Sequence, residues 1–466
     1  MKLNQITDCD LDIEITGLSA DSREIKSGYL FGSLNDDKFI ASAIEKGAAT
    51  VITPLTYKEE LPVPVIHADN PNLTFAQAAA KFYGGQPAHV AAITGTNGKT
   101  SIADFIRQFL TMMGEKAASM GTLGFIKGNE APVPSPNTTP NAVTVQKELK
   151  ALADDGYDYL ALEASSHGLH QYRIGGVKVD VAGFTNLTQD HMDYHKTFEN
   201  YLAAKMILFT HNLVDNGTAV LNADIDVFPQ LEACCRTHGK KIITYGRNGK
   251  ELRLLNSQPL PHGQRLDLDY FGKRTTIDIP LAGGFQAMNV LCALGMAAAL
   301  TGQPFDVIKY ADKIRGAKGR LEFVGSHNGA AIYIDYAHTP DALENVIKAL
   351  RPHTHNRLAV VFGCGGDRDA TKRPIMGKIA SDLADIVLIT DDNPRTENAE
   401  DIRKQIMAAC PKGKNIGNRA EAIKTAIADL QSGDVLIIAG KGHETGQYIN
   451  GKIYPFSDHE EVARNI

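Results

Sequence analysis

This chain of 466 residues lacks a long apolar run and an excess of either charge, and each of these absences excludes a class of protein. It has no tryptophan and no uninterrupted run of about 18 apolar residues, so we expect no transmembrane helix. Neither charge dominates, because 48 basic and 54 acidic residues leave a net charge of −6. That balance argues against general binding to nucleic acid or to anionic membranes. The start, MKLNQITDCDLDIEI, lacks the basic-then-apolar order of a signal peptide.

Cysteine is also scarce, and its spacing carries no motif. The six cysteines are scattered along the chain without a C-x-x-C pair. This spacing excludes a zinc site or a disulfide framework and is typical of reduced thiols in a cytoplasmic protein. We therefore expect a cytoplasmic location.

The length predicts about three domains, and the apolar fraction of 43% is enough for packed cores. Composition changes at two places, YGGQPAH (83–89) and IRGAKGRLEFVG (314–325), both rich in glycine. We therefore predict segments 1–87, 88–319 and 320–466.

Dense apolar runs predict an α/β fold with parallel sheets. In the middle segment the predicted strands are VAAIT (90–94), YDYLALEA (157–164) and VDVAGFTNL (179–187). In the last segment AAIYIDYA, RLAVVFG, ADIVLIT and DVLIIAG (330–337, 357–363, 384–390 and 434–440) alternate with helix-like stretches. That alternation predicts βαβ units, in which ligands bind at the carboxyl ends of the strands.

A phosphate-binding loop is predicted where the first central strand ends. The sequence GTNGKT covers Gly95, Thr96, Asn97, Gly98, Lys99 and Thr100. Glycines let successive backbone N–H groups turn towards an anion, and the following helix N-terminus adds partial positive charge. Lys99 is expected to neutralise phosphate oxygens, and the Thr100 hydroxyl is expected to bind Mg²⁺. The spacing departs from the usual P-loop, because Ile93 stands where the first glycine is expected.

Further polar residues follow neighbouring strands. Glu163 comes at a strand end, and FTNLTQDHMDYH offers Asn186, Asp190, His191, Asp193 and His195 as cation ligands. Glu163 with Thr100 fits the preference of Mg²⁺ for hard oxygen ligands. Each of these residues taken singly is more often a surface or structural group.

Lys205, in ENYLAAKMILF (199–209), lies beside an apolar helical face that includes Leu202, Met206 and Phe209. It is either a lysine that extends its ammonium to the solvent or one held in a site with a lowered pKa. An amine of the second kind can add CO₂ to become an anionic carbamate. The sequence leaves both readings open.

Taken together, these motifs resemble the Mur ligases of peptidoglycan synthesis. GTNGKT, EASSHG, FTNLTQDHMDYH, AAK, GRLE, DYAHTPDAL, GCGGDRD, DDNPR and AGKGHE occur in that family's order between Asp21 and Glu444. The resemblance implies three domains: an N-terminal α/β domain for the uridine nucleotide, a central P-loop ATPase with a mainly parallel sheet, and a C-terminal Rossmann-like, doubly wound domain. It also implies a monomer that acts on small molecules.

The implied reaction is ATP-dependent amide-bond formation through an acyl phosphate, adding meso-2,6-diaminopimelate to UDP-N-acetylmuramoyl-L-alanyl-D-glutamate. The implied metal ligands are Thr100 and Glu163 for one Mg²⁺, and Glu163, His191 and carbamylated Lys205 (N6-carboxylysine) for a second. The implied catalytic residues are Lys99, Lys205 and His191. Besides the phosphate loop, the residues matched to ATP binding are Asn289, Arg320, Asp335 and His338.

The remaining matched residues bind the other two substrates. Those for the UDP-muramoyl dipeptide are Ser22, Asn137, Thr138, Thr139, Ser165, Gln171 and Arg173. Those for diaminopimelate are Arg368, Asp392, Asn393, Pro394, Arg395, Gly440 and Glu444. An arginine suits this substrate because it can bind the distal carboxylate with two hydrogen bonds.

Two stretches depart from the family pattern. LFGSLNDDKFI is about five residues shorter than the usual loop, so 35–38 are no more than candidate uridine contacts. Gln286 stands where asparagine is frequent. The competing hypotheses are a ligase that adds L-lysine or another diamino acid, an enzyme like folylpolyglutamate synthetase, and a P-loop nucleotide-gated binding protein. Arg395 and the GHE motif argue against the first two, and the carboxylate and histidine positions after the loop argue against the third.

Overall fold

The computed structural model describes residues 1–34, 36–135, 137–260 and 263–466. They form two compact units. The first consists of Met1–Leu252 and Leu291–Ile308, and the second of Arg253–Val290 and Lys309–Ile466.

The first unit begins with a small parallel sheet. Its strands, paired in chain order, are β1 (Gly17–Ser19), β2 (Tyr29–Gly32), β3 (Ala48–Pro54) and β4 (Val65–Ala68). The helices beside it are α1 (Leu3–Ile6), α2 (Ile40–Glu45) and α3 (Pro71–Tyr83), with a 3-10 turn at Asp37–Phe39. Helix α3 begins where the Asn70 side chain accepts a hydrogen bond from Leu73 N, with proline in the first turn.

A larger, mainly parallel sheet follows in the same unit. Its strands are β5 (His89–Thr94), β6 (Ala117–Gly121), β7 (Gly124–Lys127), β8 (Tyr159–Glu163), β9 (Val179–Phe184), β10 (Leu213–Asn222) and β11 (Lys241–Gly246). They lie in the order β11-β10-β9-β5-β8-β6-β7, and β7 is antiparallel to β6. Strand β5, which precedes the phosphate loop, therefore lies between β8 and β9.

Helices cover this sheet because its strands are apolar on both faces. They are α4 (Lys99–Met112), α5 (Ala142–Asp154), α6 (Ser166–His170), α7 (Met192–His195), α8 (Phe198–Ile207) and α9 (Phe228–Thr237). A wider π-helical turn, Leu208–Asn212, continues α8. Phe209 lies in that turn and is buried in the same apolar core as Leu202, against which Met206 also packs.

The second unit opens with β12 (Leu252–Leu260), β13 (Gly263–Tyr270) and β14 (Lys273–Ile279), of which β13 and β14 are antiparallel. Helix α10 (Gly284–Thr301) begins in this unit and ends in the first. By length and composition alone this helix could cross a membrane, although it is not an uninterrupted apolar run. Because 72% of it is buried inside the protein, it packs as a core helix. Helix α11 (Pro304–Val307) and a 3-10 turn, Ile308–Tyr310, follow.

The rest of the second unit is a doubly wound sheet. Its strands are β15 (Glu322–His327), β16 (Ala330–Asp335), β17 (Leu358–Phe362), β18 (Ile386–Ile389), β19 (Lys414–Asn415) and β20 (Val435–Ala439). The order is β15-β16-β20-β17-β18-β19, parallel except at β15. Apolar cores lie on both faces of the sheet. The helices are α12 (Pro340–Leu350), α13 (Lys372–Leu383), α14 (Ala399–Met407), α15 (Arg419–Ala428) and α16 (Asp458–Asn465), with a 3-10 turn at Arg351–His353.

A hairpin of β21 (Gly446–Ile449) and β22 (Lys452–Pro455) stands apart from this sheet. The α/β class and the predicted strands are confirmed to within two or three residues at their ends. Boundaries at 87 and 319 stay predictions.

Candidate active site

The phosphate loop joins β5 to α4, as the sequence predicts. Gly95 has φ +143°, and a Cβ there would lie 1.9 Å from Thr185 Oγ1, so this position requires glycine. Gly98 is left-handed, with φ +90°, and precedes the first residue of α4. The loop thus delivers the chain to a helix N-terminus, where backbone N–H groups can bind an anion.

The loop is held from the segment that follows β9. Asn97 N donates to Asn186 Oδ1 at 2.9 Å, and the Thr185 hydroxyl donates to Asn97 O at 2.6 Å. Thr188 N donates to Thr96 Oγ1 at 3.0 Å. Asn186, predicted as a cation ligand, is therefore bonded to the loop backbone.

Two lysines contact the loop carbonyls. Lys99 Nζ donates to Gly95 O at 2.9 Å and to Thr96 O at 2.8 Å. Lys205 Nζ donates to the same Gly95 O at 2.8 Å and lies 4.3 Å from the Tyr201 ring centroid. The Lys205 side chain is 1% exposed, which excludes the reading that it extends into solvent. Burial, and secondly the charge of Lys99, hold the pKa of Lys205 well below its usual value.

Thr100 and Glu163 meet at the neighbouring strand ends. The Thr100 hydroxyl donates to Glu163 Oε2 at 2.9 Å, and Thr122 N donates to Glu163 Oε1 at 2.7 Å. Both side chains are buried. A hydroxyl and a carboxylate beside a phosphate loop are oxygen ligands of the kind Mg²⁺ uses together with substrate phosphates and waters, so these residues fit that ion.

The remaining predicted cation ligands are arranged differently. His191, at φ +53°, donates its backbone N–H to Asp190 Oδ1, and its ring lies 4.7 Å from that of His167. His195 is buried against Tyr201. Asp193 lies in the first turn of α7. Within the described ranges, no three histidine, cysteine, aspartate or glutamate side chains form a group that could hold a metal. A second ion at Glu163, His191 and Lys205 therefore stays a prediction.

The residues predicted for the muramoyl dipeptide lie next to Glu163 in the same unit. The Thr139 hydroxyl donates to Glu163 O at 2.8 Å and accepts from Ser165 N at 3.0 Å. Arg173 donates to Thr139 O at 2.7 Å and to Gln171 Oε1 at 3.0 Å.

The other residues predicted for this substrate are less tightly connected to that network. Thr138 shares a 2.9 Å hydrogen bond with Thr122, and Asn137 is exposed. Ser22 is buried in the small N-terminal sheet region, where its carbonyl accepts from Lys46. Of the candidates at 35–38, Asn35 lies outside the described residues.

In the second unit the four residues matched to ATP form a connected group. Asn289 donates to Gln286 Oε1 at 2.9 Å, and Gln286 donates to Arg320 O at 3.2 Å. The Arg320 guanidinium lies 4.6 Å from the Tyr336 ring centroid, and the His338 ring lies 4.7 Å from that centroid.

Asp335 precedes Tyr336 and is wrapped in backbone donors. Leu321 N and Ala337 N donate to its carboxylate at 2.6 and 2.7 Å. Burial nevertheless raises the pKa of Asp335 to about 6, and burial lowers that of His338.

A pocket of about 490 Å³ opens at the carboxyl ends of β16, β17, β18 and β20. It lies in the second unit, and its lining includes most of the residues matched to diaminopimelate: Arg368, Asp392, Asn393, Arg395, Gly440 and Glu444. Position 440 favours glycine, because its φ is +115° and a Cβ there would lie 2.4 Å from Asp392 Oδ2.

Arg395 is fixed by backbone contacts rather than by its side chain alone. It has φ +52°, and its N–H donates to Tyr448 O at 2.9 Å while its carbonyl accepts from Asn450 N at 2.6 Å. Its guanidinium donates to Gly366 O at 2.7 Å. The hairpin therefore fixes the backbone position from which the Arg395 side chain extends.

Sequence reasoning missed several supporting residues. Thr122 bonds Glu163, Gln447 donates to Asp392 O at 2.7 Å, and Lys441 is buried under the pocket. Lys441 lies inside the quoted AGKGHE motif, which was a signal for it. The Asn450-Gly451 pair is a hairpin signal that would have placed Gln447.

Fold and site thus define a P-loop α/β enzyme with a separate pocket lined by arginine and carboxylate. Residues 93–297 match the Mur ligase middle domain, and residues 319–442 match the Mur ligase, glutamate ligase domain. The chain belongs to the Mur ligase family, and it is an ATP-dependent, Mg²⁺-using amino-acid ligase.

Similar proteins extend over nearly the whole chain. One is the UDP-N-acetylmuramoyl-L-alanyl-D-glutamate--2,6-diaminopimelate ligase of Caulobacter vibrioides, 47% identical, with 98% of this chain and 96% of that protein covered. The enzyme of the same name from Chelativorans sp. is 48% identical, over 97% and 95%. A solved structure under that name superposes with a TM-score of 0.74 at 32% identity, covering 100% of this chain and 98% of the other.

A more distant structure agrees in fold alone. Mycobacterium tuberculosis folylpolyglutamate synthase complexed with ADP has a TM-score of 0.63 at 20% identity, over 80% of this chain and 92% of that one.

Proposed function

We propose that this chain adds meso-2,6-diaminopimelate to UDP-N-acetylmuramoyl-L-alanyl-D-glutamate with ATP, in the cytoplasm and as a monomer. The observation that carries the proposal is the pocket of the second unit, where two arginines and three carboxylates line one cavity. Diaminopimelate presents a carboxylate and an ammonium at its far end, so such a pocket is complementary to it. The names and coverage of the relatives support the same substrate.

The chemistry is two displacements. A carboxylate oxygen of the dipeptide attacks the γ-phosphorus of ATP, and the bond to ADP breaks. The amine of diaminopimelate then attacks the acyl carbon, phosphate leaves with its electron pair, and the amine gives up a proton. Lys99 and the loop N–H groups offset the repulsion between the anionic reactants, and the enzyme mainly positions them. Mg²⁺, when bound by Thr100 and Glu163, neutralises phosphate charge.

Lys205 is carbamylated in this proposal and contributes, with Glu163 and His191, to a second Mg²⁺ site. Two observations support it: the amine is buried beside the phosphate loop, and its lowered pKa favours the neutral form that can add CO₂. Addition gives a carbamate and releases one proton.

The deciding experiment measures phosphate release from ATP by the purified chain. We expect release that requires both the UDP-muramoyl dipeptide and meso-diaminopimelate, with L-lysine a poor replacement because it leaves the arginines without a carboxylate. Oxygen-18 in the terminal carboxyl of the dipeptide should appear in the phosphate. Equal ATP turnover without either substrate would refute the ligase activity. A preference for L-lysine would mean that L-lysine, and not diaminopimelate, is the amino-acid substrate.

Arg395 tests the amino-acid site. Arg395→Ala should raise the KM for diaminopimelate by about tenfold or more, since a hydrogen-bonded charge pair is lost, and should leave the KM for ATP nearly unchanged. Arg464→Ala, which removes an exposed arginine of the same unit that is paired with Glu460, is the control. Unchanged kinetics in Arg395→Ala would mean that the distal carboxylate is bound elsewhere.

A further inference from the structure

An ammonium group is buried directly beneath the pocket of the second unit. Lys441 follows Gly440 at the end of β20 and its residue is 0% exposed. Its Nζ donates to Asn393 Oδ1 at 3.0 Å and to Glu444 Oε2 at 2.9 Å. A lysine is almost never buried in this way unless its charge is paired.

The contacts of Lys441 fix the orientation of the Asn393 amide. Asn393 Oδ1 receives both Lys441 Nζ and the backbone N–H of Tyr448, the latter at 3.0 Å. Both partners can only donate, so this atom must be the amide oxygen. The amide nitrogen therefore points at Glu444 Oε2, to which it donates at 2.9 Å.

Both donors reach the same oxygen of Glu444. Across the described chain, no hydrogen bond of Glu444 ends on Oε1, and the side chain is 28% exposed in the wall of the pocket. A carboxylate held by one oxygen offers its other oxygen in a fixed direction. Asp392, with one buried oxygen that no described group bonds, lines the same pocket. A buried cation here reduces the repulsion between the two carboxylates.

We propose that Lys441 is a positioning residue which, through Asn393 and Glu444, sets the recognition of the distal ammonium of the amino-acid substrate. The inference rests on the proposed function, because it assumes a diamino acid in this pocket. Lys441 itself contacts no substrate. It orients Glu444, so its removal should affect the distal ammonium rather than the distal carboxylate.

The test compares two substrates with the full-length enzyme at saturating ATP, Mg²⁺ and UDP-muramoyl dipeptide. One is meso-diaminopimelate, and the other is 2-aminopimelate, which keeps the reacting amine and both carboxylates but lacks the distal amino group. We expect wild type to prefer diaminopimelate in kcat/KM by about tenfold or more. Lys441→Met should reduce that preference about tenfold, mainly through the KM for diaminopimelate. The KM for ATP should stay within about twofold, well under the effect of a lost charged hydrogen bond.

Glu444→Gln should lose the same preference, and the double variant should lose no more, because both changes remove one interaction. Lys240→Met is the matched control: Lys240 is another nearly buried lysine, with a side chain 5% exposed that donates to Leu213 O and Val214 O in the first unit. It should keep the preference of wild type.

The outcomes separate cleanly. An equal loss with both substrates in Lys441→Met means a merely structural role and overturns the inference, as does a wild type that does not distinguish the two. If Lys441→Met does not fold, Lys441→Gln, which keeps a donor without the charge, must show the reduced preference. A wild type that does not use diaminopimelate at all refutes the proposed function instead.

Discussion

Two buried lysines show how the same side chain is put to different uses by its neighbours. Lys441 meets a carboxylate, whereas Lys205 meets a backbone carbonyl and lies near a second cation, Lys99. Desolvation without an anionic partner favours the neutral amine. The burial of Lys205 and the charge of Lys99 therefore favour the neutral amine, the form that can add CO₂.

Lys205→Ala should abolish most ligase activity, and added formate or acetate should restore part of it by replacing the carbamate. The measurement is phosphate release with and without the carboxylate. Lys196→Ala, which removes an exposed lysine on the same stretch of chain, should behave as wild type in both conditions. Activity of Lys205→Ala close to that of wild type would remove the carbamate from the mechanism.

His353 is a second residue whose surroundings select one charge state. Its Nε2 accepts from Gly283 N at 3.2 Å, so Nδ1 carries the proton and donates to Leu260 O at 3.1 Å. Protonation of Nε2 would set two N–H groups against each other. Burial correspondingly lowers the pKa of His353.

This pKa has a defined consequence for stability. Because the folded value is below the unfolded value of about 6.5, the unfolded chain binds a proton first as pH falls. Stability should therefore decline below about pH 6.5 through this residue. His353→Gln can keep both hydrogen bonds without titrating. Urea unfolding at pH 7 and pH 5 should show a smaller decline in the variant, and parallel declines would contradict the assignment.

At the scale of elements, seven strands of the two larger sheets were predictable, because buried apolar runs of this density are typical of parallel strands. The carboxyl ends of β5, β8 and β9 bring Glu163 to Thr100 and Asn186 to Asn97 of the phosphate loop. The antiparallel pairs β13–β14 and β21–β22 escaped the prediction because none of the four strands has such a run. Strand β13 alternates buried residues with exposed or half-buried ones, and β14, β21 and β22 are mostly exposed or half-buried. Thr122 also escaped, because its role comes from a contact with the distant Glu163. Lys441 lies in the AGKGHE motif, but its bond to the distant Asn393 could not be read from that motif.

Gly95→Ala tests the phosphate loop as an element. The new methyl group would collide with Thr185 Oγ1, so the loop must move and nucleotide affinity should fall by more than about tenfold. Gly114→Ala is matched, because Gly114 has φ +93° but nothing within 4 Å of its Cβ position. It should cost about 1 kcal/mol of stability and leave affinity intact. Equal nucleotide affinities in the two variants would show that the close approach is unimportant.

At the scale of the whole molecule, each unit has its own apolar core. The described pocket residues that we assign to diaminopimelate lie within the second unit, whereas the phosphate loop belongs to the first. A ligand at 100 times its Kd stabilises the structure that binds it by about 2.7 kcal/mol. Binding of diaminopimelate should therefore slow hydrogen exchange in the segments around the pocket more than elsewhere in the chain.

Hydrogen exchange with and without meso-diaminopimelate measures this. We expect added protection at 363–373, 391–397 and 440–448, and none in the small N-terminal sheet, β1 to β4. Arg395→Ala should lose the protection at the same ligand concentration. Uniform protection of the chain, or protection of the N-terminal sheet alone, would contradict the assignment of the pocket.

The backbone conformation of Arg395 limits how the amino-acid specificity of this enzyme could change. Arg395 has a left-handed backbone, and both its N–H and its carbonyl are hydrogen-bonded to the hairpin, at Tyr448 and Asn450. Its conformation therefore depends on that hairpin. Replacing the arginine leaves the backbone still directing the new side chain into the pocket. Altering the hairpin disturbs Asp392 and Asn393 as well, because Gln447 and Tyr448 bond to them. New amino-acid preferences would have to evolve through coordinated changes in two distant stretches of sequence.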